Sequence, residues 1–451
     1  MGKSTGAGSI SVFTHNLKDF EFLPYYKIGQ YEGMAARVGA GLESWELYDY
    51  MALHNMTVVV PGAATVGAYG GWMLGGGHSN LASKYGLGAD QVLSLQVVTA
   101  DGRFVTADPN TNQDLFWAMR GGGPSKYLWL TPLEPRTFSS PHGAKHNTGT
   151  YGIVTSAIVK AYLPTKVYMS ALNFTTTGLS DISTFWKGVD AFFLYSKFVV
   201  EAGATSYSYV SPQGNNSYSF TNEFEFPGVT PKSAFDFLQP LYDYINSIGI
   251  VVVNPEPVPS ARSSSGKRGI GDSPGNSRFA SRLFPRQNWE DDELFAKTMG
   301  AIRETVEAGY AFHGVHMSPT EEIAGYPGRD SGANPALRNT VMHADVFDSV
   351  APGAPAAVVM AASAKLNLYM DKMRAVTPRG GAYVNEADRL EPNWQQSFFG
   401  ANYPRLLGIK REIDPWEIFW APTTVGSEGW EVRTSDGLPT QNGPLCRVGA
   451  A

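Results

Sequence analysis

The chain has one cysteine, Cys446, among its 451 residues. That excludes an intrachain disulfide framework and any metal site built on several thiolates. Charge is also scarce, at 17% of residues, with no runs of Lys or Arg and a net charge of −6. Neither nucleic acid nor an anionic membrane surface is an expected partner. No stretch approaches the ~20 apolar residues that a membrane helix needs. The opening MGKSTGAGSISVF lacks the apolar core and cleavage pattern of a secretory signal. No strand–GxGxxG–helix unit with a trailing acidic residue occurs, which argues against a nicotinamide-binding fold. The eight histidines are scattered. His313 and His316, in HGVH, come nearest to a ligand pair but have no acidic third ligand close by, so no metal site is expected.

What the chain does have is apolar material, 43% of residues with 12% aromatic. That is ample for a core and argues against disorder; the length suits two or three domains. It also has a glycine cluster. The run Pro61–Asp90, PGAATVGAYGGWMLGGGHSNLASKYGLGAD, holds Gly62, Gly67, Gly70, Gly71, Gly75, Gly76, Gly77, Gly86 and Gly88. Glycine at that density suits backbone at positive φ or in close approach to something flat. Inward-turned N–H groups in such a loop can bind a pyrophosphate or the edge of a ring system. On glycine count alone, a loop-rich β domain explains the run equally well.

Along the chain, residues 1–165 alternate short apolar runs with glycine-rich turns. VVTADGRFVTA predicts a hairpin around Asp-Gly, QDLFWAMRGGG a short helix stopped by glycine, and GIVTSAIVKAYL a buried strand. From about 166 the pattern changes. DISTFWKGVDAFFLYSKFVV, SAFDFLQPLYDYINSIG, DDELFAKTMGAIRETVEAG and APAAVVMAASAKLNLYMDKM have helical spacing, with strand-like TSYSYVS and SYSFTNEFEF between the first two. Strands covered on one side by helices make an α+β arrangement. ARSSSGKRGIGDSPGNS, 261–277, reads as a surface loop. WQQSFFGANYPRLLGIKREI is helical again, and the tail beyond 425 shows no pattern.

The order TVG, GG, GGGHS, KYGLGAD, followed by LSLQVVTADGRFVTA, resembles the flavin-binding core of berberine-bridge-enzyme-like FAD-linked oxidases, within the vanillyl-alcohol-oxidase superfamily. DLFWAMRGGG, TYGIVTSAIVKAYLP, SRLFPRQNW, FHGVHMSP, NPALRNTVMHADVF and YVNEADRLEPNWQQSFFGANYPRLLGIKREIDP resemble further blocks, several of them of the group's fungal members. Several ordered blocks are far more specific than one glycine motif. The resemblance implies an FAD-binding domain over 1–165 and again over 371–425, a substrate domain over 166–370 with an antiparallel sheet backing the substrate, and a tail over 426–451. It implies a monomer that oxidises a hydroxyl or similar C–H site of a small molecule, with oxygen as acceptor and hydrogen peroxide as product. The opposing reading is a non-catalytic relative without flavin. The group is often secreted, and the sequons at Asn55, Asn173 and Asn215 allow for that in a longer form.

Matched to the family, the flavin-holding positions are Thr65, Val66, Gly67, Gly70, Gly71, Gly75, Gly76, Gly77 and His78, then Gly152, Ile153 and Val154, with Asn402 and Tyr403 from the C-terminal side. The family's catalytic Tyr-x-Asn-Tyr stretch reads Tyr383-Val384-Asn385-Glu386 here, with glutamate at the second tyrosine position. A buried Glu386 with its pKa raised by desolvation would serve as base. Alternatively Glu386 is a solvated turn residue, and Tyr383 or another group acts. Asp345, in MHADVF, ranks below this pair.

The chain departs from the family in three places. Many relatives tether the flavin through a cysteine in Gly-x-Cys-Pro-Thr-Val-Gly; here Ala63 and Ala64 fill that stretch, so no cysteinyl link forms. The Thr-Gly-His-Asp stretch carrying the histidyl link, and the N-terminal lobe over the pyrophosphate, are expected to be missing from this chain. Finally, Lys126–Gly149 interrupt a family block that reads RGGGPSTYGIVTSA without them. Ser-Lys-Tyr can encode a GTAAGT splice donor and Asn-Thr-Gly a CAG acceptor, so the insert reads as a translated intron, the alternative being a genuine surface loop.

Overall fold

The computed structural model describes residues 6–124, 149–260, 277–351 and 353–449. The interior of the Lys126–Gly149 insert and the 261–276 stretch lie outside the described residues. At the edges of the insert, Pro124 and Gly149 form a β-bridge, and Thr150 Oγ1 donates to the Gly123 carbonyl at 3.0 Å. The chain therefore leaves and returns at adjacent points.

The fold is α+β, built on two antiparallel sheets. The first contains β1 (Phe20–Ile28), β2 (Tyr31–Gly39), β3 (Val92–Val98), β4 (Phe104–Ala107) and β5 (Ile153–Lys160), in the order β1-β2-β5-β3-β4. β3 and β4 are the hairpin expected around Asp-Gly, with Leu95 opposite Ala107. β5, the expected buried strand, lies in the centre between β2 and β3. The helix Gln113–Met119 ends at Arg120, and Gly121 follows at φ +90°, as a glycine stop requires.

The second sheet has seven strands: β6 (Val167–Thr175), β7 (Thr205–Gly214), β8 (Ser217–Pro227), β9 (Val258–Pro259), β10 (Ser277–Pro285), β11 (Ala311–His316) and β12 (Thr340–Ser349). Their order is β10-β12-β11-β7-β8-β6-β9. Because side chains alternate along a strand, the two faces have different characters. Phe312, Val210, Phe220, Phe224, Met342, Ala344 and Val346 pack into one core with Phe185, Phe192, Leu238, Ile302 and Leu366. These last come from the helices Ile182–Glu201, Pro231–Ser247, Asp292–Glu307 and Ala356–Val376, the four that helical spacing predicts. The opposite face carries Tyr207, Tyr209, His313, His343 and Asp345. It abuts the segment after the glycine loop, where Thr205 Oγ1 donates to the Asn80 carbonyl at 3.2 Å.

The C-terminal helical stretch breaks at Gly400 (φ +56°) into Trp394–Phe399 and Tyr403–Ile413. Phe398, Phe399, Leu406 and Ile409 enter the core around the first sheet. The tail is not patternless. Trp430–Val432 pairs with Leu445–Arg447 in a two-stranded ribbon, its strands too short to show a period.

His313 and His316 lie on opposite faces of β11, so HGVH does not form a ligand pair. His316 is buried on the helix-covered face, its Nε2 3.0 Å from Ser208 Oγ, and burial lowers its pKa to about 3. An unfolded histidine takes a proton near 6.5, whereas this one stays neutral until about 3. Stability should therefore fall as pH drops from 6.5 towards 3, by up to about 1.4 kcal/mol per pH unit. Urea unfolding of wild type and His316→Gln from about pH 7 to 4.5 should give a shallower acid slope in the variant; equal slopes would refute the assignment.

Candidate active site

The glycine loop, the Tyr383–Glu386 stretch and β12 converge at one point. Gly76 and Gly77 sit at φ +112° and +82°, a region L side chains rarely enter. The resulting turn directs the Gly77 N–H to the Tyr383 hydroxyl at 3.1 Å. Asn385 Nδ2 donates to the same hydroxyl at 2.6 Å and to the Trp72 carbonyl at 3.0 Å. A Cβ on Gly75 would meet Asn385 Oδ1 at 2.2 Å, so only glycine allows this approach.

Around that knot lies a cluster of titratable groups. His78 Nε2 is 3.2 and 3.1 Å from the two Glu386 oxygens, and His343 Nε2 is 2.8 Å from Glu386 Oε2. Asp345 Oδ1 lies 3.5 Å from His343 Nε2, and Asp345 Oδ2 lies 3.5 Å from His313 Nδ1. The His313 ring stacks on Tyr209 at 4.2 Å and 12°. Glu386 is partly exposed, whereas Tyr383 and His343 are buried.

These neighbours set the charges. Burial alone would lower the His343 pKa, but the Asp345 and Glu386 carboxylates outweigh it and raise it to about 10. Burial alone would raise Glu386, the expectation from sequence. The two imidazoles reverse that and hold it well below the usual carboxylate range. Glu386 is thus an ionised carboxylate, and the raised pKa expected of a buried Glu386 acting as base is corrected to a lowered one. Tyr383 is shifted up by burial and then by the Glu386 charge, so its hydroxyl stays protonated.

The sequence-predicted cofactor positions fall in three places. Thr65, Val66, Gly67, Gly70, Gly71, Gly75, Gly76, Gly77 and His78 form one continuous loop, buried from Gly67 to Gly77. Gly152, Ile153 and Val154 open β5, with Ile153 opposite Val98 and Val154 opposite Val97. Asn402 and Tyr403 are not brought to the Glu386 cluster by their hydrogen bonds. Asn402 Nδ2 donates to the Ser331 and Ala333 carbonyls at 3.3 and 2.8 Å, and Tyr403 OH donates to Glu428. Sequence reasoning missed His343. The available signal was MHADVF, in which His343 and Asp345, two apart on a strand, share a face.

With this geometry established, comparison with known proteins gives the lineage. The family described as "Berberine and berberine like" matches residues 382–426, and "FAD binding domain" matches residues 19–108. The chain is 33% identical to the VAO-type flavoprotein oxidase VAO615 of Thermothelomyces thermophilus, an alignment covering 99% of this chain and 72% of that protein. The chain belongs to the berberine-bridge-enzyme-like, VAO-type FAD-linked oxidoreductases. The FAD-linked oxidoreductase patO of Aspergillus clavatus is 30% identical over 99% of this chain and 72% of its own length. Among solved structures, VAO-type flavoprotein MtVAO615 from Myceliophthora thermophila C1 superposes with a TM-score of 0.82 at 30% identity, covering 99% of this chain and 76% of that one. Berberine bridge enzyme in complex with (S)-reticuline, at 16% identity and TM-score 0.67, shares the fold, over 91% of this chain and 79% of that one.

The protein is accordingly an enzyme of the FAD-linked oxidase family, with FAD as cofactor. Its glycine loop fits that group: among the described residues, no acceptor meets the N–H groups of buried Gly70 and Gly71, donors of the kind a pyrophosphate takes. Ala63 and Ala64 offer no thiolate, and Cys446 sits in the tail ribbon. The flavin should therefore carry at most one covalent bond to protein. Acid precipitation and peptide mapping should recover no cysteinyl-flavin peptide, and finding one would overturn this.

Proposed function

We propose that this protein oxidises a hydroxyl, or a similar C–H site, of a small molecule, as a monomer, with oxygen as final acceptor and hydrogen peroxide as product. Bound FAD supplies the two-electron acceptor for the substrate hydride. Loop residues Thr65–His78, with Gly152–Val154 and the Asn402–Tyr403 turn, would hold it.

The observation that carries the reading is the Glu386 carboxylate, partly exposed and kept ionised beside two imidazoles. Loss of a hydride from a CH–OH group leaves one proton on oxygen, which Glu386 would accept. Its imidazole neighbours lower its proton affinity, so the transfer would rely on position and on charge stabilisation more than on basicity. His343, cationic between Glu386 and Asp345, would stabilise negative charge building on that oxygen. Tyr383 acts by position: its hydroxyl is buried and takes hydrogen bonds from Gly77 and Asn385, which fixes the turn that presents His78. The stacked Tyr209 and His313 rings give the substrate a flat wall suited to a ring.

The test is direct. The purified protein should show flavin absorbance and release peroxide with some member of a panel of sugars, aromatic alcohols and alicyclic alcohols. Protein without flavin would favour the non-catalytic alternative. Flavin-loaded protein that is reduced by a substrate yet reoxidised only by a non-oxygen acceptor would overturn the oxidase assignment.

A further inference from the structure

We propose that His78, His343 and Glu386 form a binding site for one divalent transition-metal ion, and that the bound ion switches oxidation off by occupying the base. The second half rests on Glu386 being that base; the first does not.

One donor atom from each of the three residues lies within 4.8 Å of the other two. The closest pairs are His343 Nε2 to Glu386 Oε2 at 2.8 Å and His78 Nε2 to the same oxygen at 3.1 Å. An ion about 2.0–2.2 Å from each donor requires donors roughly 3–3.5 Å apart in tetrahedral or octahedral geometry. Shifts of a few tenths of an ångström to about 1 Å would close the set. Both imidazoles present Nε2, and an ion binding there displaces the proton that His343 shares with Glu386 and Asp345.

The supports are firm. His343 lies on β12, flanked by β10 and β11. His78 follows Gly77, which Tyr383 pins, and Glu386 closes the short turn that begins after Tyr383. The backbone elements fix where the ligands start; the Nδ1 atoms of His78 and His343 are buried and meet no hydrogen-bond partner among the described residues, so the rings are oriented by packing.

Asp345 adds negative charge beside the three ligands. Asp345 is 4% exposed, and its Oδ1 accepts no hydrogen bond among the described residues while facing His343 Nε2 at 3.5 Å. Its contact with the His343 imidazole is long, and once an ion takes that nitrogen the oxygen would supply a fourth donor or a neighbouring negative charge. Two imidazole nitrogens and one or two carboxylate oxygens suit zinc, ferrous iron, nickel or copper. Magnesium and calcium prefer all-oxygen shells.

The experiment uses the untagged, flavin-loaded protein, stripped with chelator and equilibrated by dialysis against Zn²⁺ or Mg²⁺. One equivalent of Zn²⁺ should bind, and no Mg²⁺. His78→Gln, His343→Gln and Glu386→Gln should each weaken Zn²⁺ binding by about a hundredfold or more, while His54→Gln, on a helix remote from the cluster, should leave it unchanged. Three separate ligand variants keep the test decisive if one misfolds. Absence of Zn²⁺ binding, or equal binding by the folded ligand variants, would overturn the site. Peroxide release should be lost at saturating Zn²⁺ and return with chelator. Zn²⁺ held by the three residues with turnover intact would overturn the switch and the assignment of the base together, leaving the metal site standing. A protein that binds no Zn²⁺ yet loses turnover on Glu386→Gln would retain the base and lose the site.

Discussion

Glu386→Gln should lower turnover by about a hundredfold or more while flavin stays bound, the usual range for removing a positioned general base. The change is nearly isosteric, so the Gln carbonyl still meets an imidazole; what goes is the negative charge that accepts the proton and balances His343. Tyr383→Phe should slow turnover by a similar factor for a different reason. It leaves the Gly77 N–H without its acceptor and removes one of the two acceptors of Asn385 Nδ2, and a buried donor left unpaired costs about 1–3 kcal/mol. Both variants should melt lower, Tyr383→Phe through its unpaired donors and Glu386→Gln because it removes a carboxylate partner of buried His343, so bound flavin is measured in each to separate lost chemistry from lost cofactor. Single-turnover flavin bleaching under anaerobic conditions measures the chemical step without oxygen. Near-normal bleaching rates in both variants would move the base elsewhere, with Asp345 the first carboxylate to try.

Much of this site was legible locally. Gly76 and Gly77 announce their turn by composition, and Tyr383-Val384-Asn385-Glu386 is a contiguous stretch, so its resemblance to a catalytic motif could be read directly. The β3–β4 hairpin and the four long helices were equally plain, because each rests on a period or a turn pair inside one short window. The environment of Glu386 was not legible. Its charge state depends on His78, 308 positions away, and on His343, and no window of sequence contains all three. Hence the sign of its pKa shift came out reversed: burial can be guessed from a motif, but the imidazoles that outweigh burial arrive by tertiary folding. The same limit hid the splitting of His313 from His316. Proximity in sequence made HGVH the nearest approach to a ligand pair, though none was expected, and strand alternation puts the two on opposite faces.

A buried ion pair clamps these distant pieces together, and its loss should be a large stability effect. Arg338 donates to Asp90 through two parallel bonds, Nη1 to Oδ2 at 2.7 Å and Nη2 to Oδ1 at 2.6 Å. The Asp90 side chain is fully buried and that of Arg338 10% exposed. Asp90 Oδ2 also accepts from the Leu87 N–H at 2.8 Å, at the end of the glycine-rich run, while Arg338 lies two residues before β12, which carries His343. Between them, Gly88 and Ala89 donate to the Gly77 and Gly76 carbonyls at 2.7 and 2.9 Å. The pair therefore ties the turn that presents His78 to the strand that presents His343. Arg338→Met should destabilise the fold by about 3–5 kcal/mol, since it leaves a buried carboxylate without its bidentate partner. Lys160 and Arg120 are near enough to be influenced by Asp90. Their own hydrogen bonds, however, go to the backbone carbonyls of Ala324 for Lys160 and of Phe116, Pro327 and Asp330 for Arg120, so they can replace only part of the lost interaction. Adding Asp90→Asn to Arg338→Met should recover some of that loss, because the uncompensated charge goes with it. Urea unfolding of the two single variants and the double variant measures the coupling. A loss under about 1 kcal/mol in Arg338→Met, the range of an exposed pair, would show that this clamp does not hold the site together.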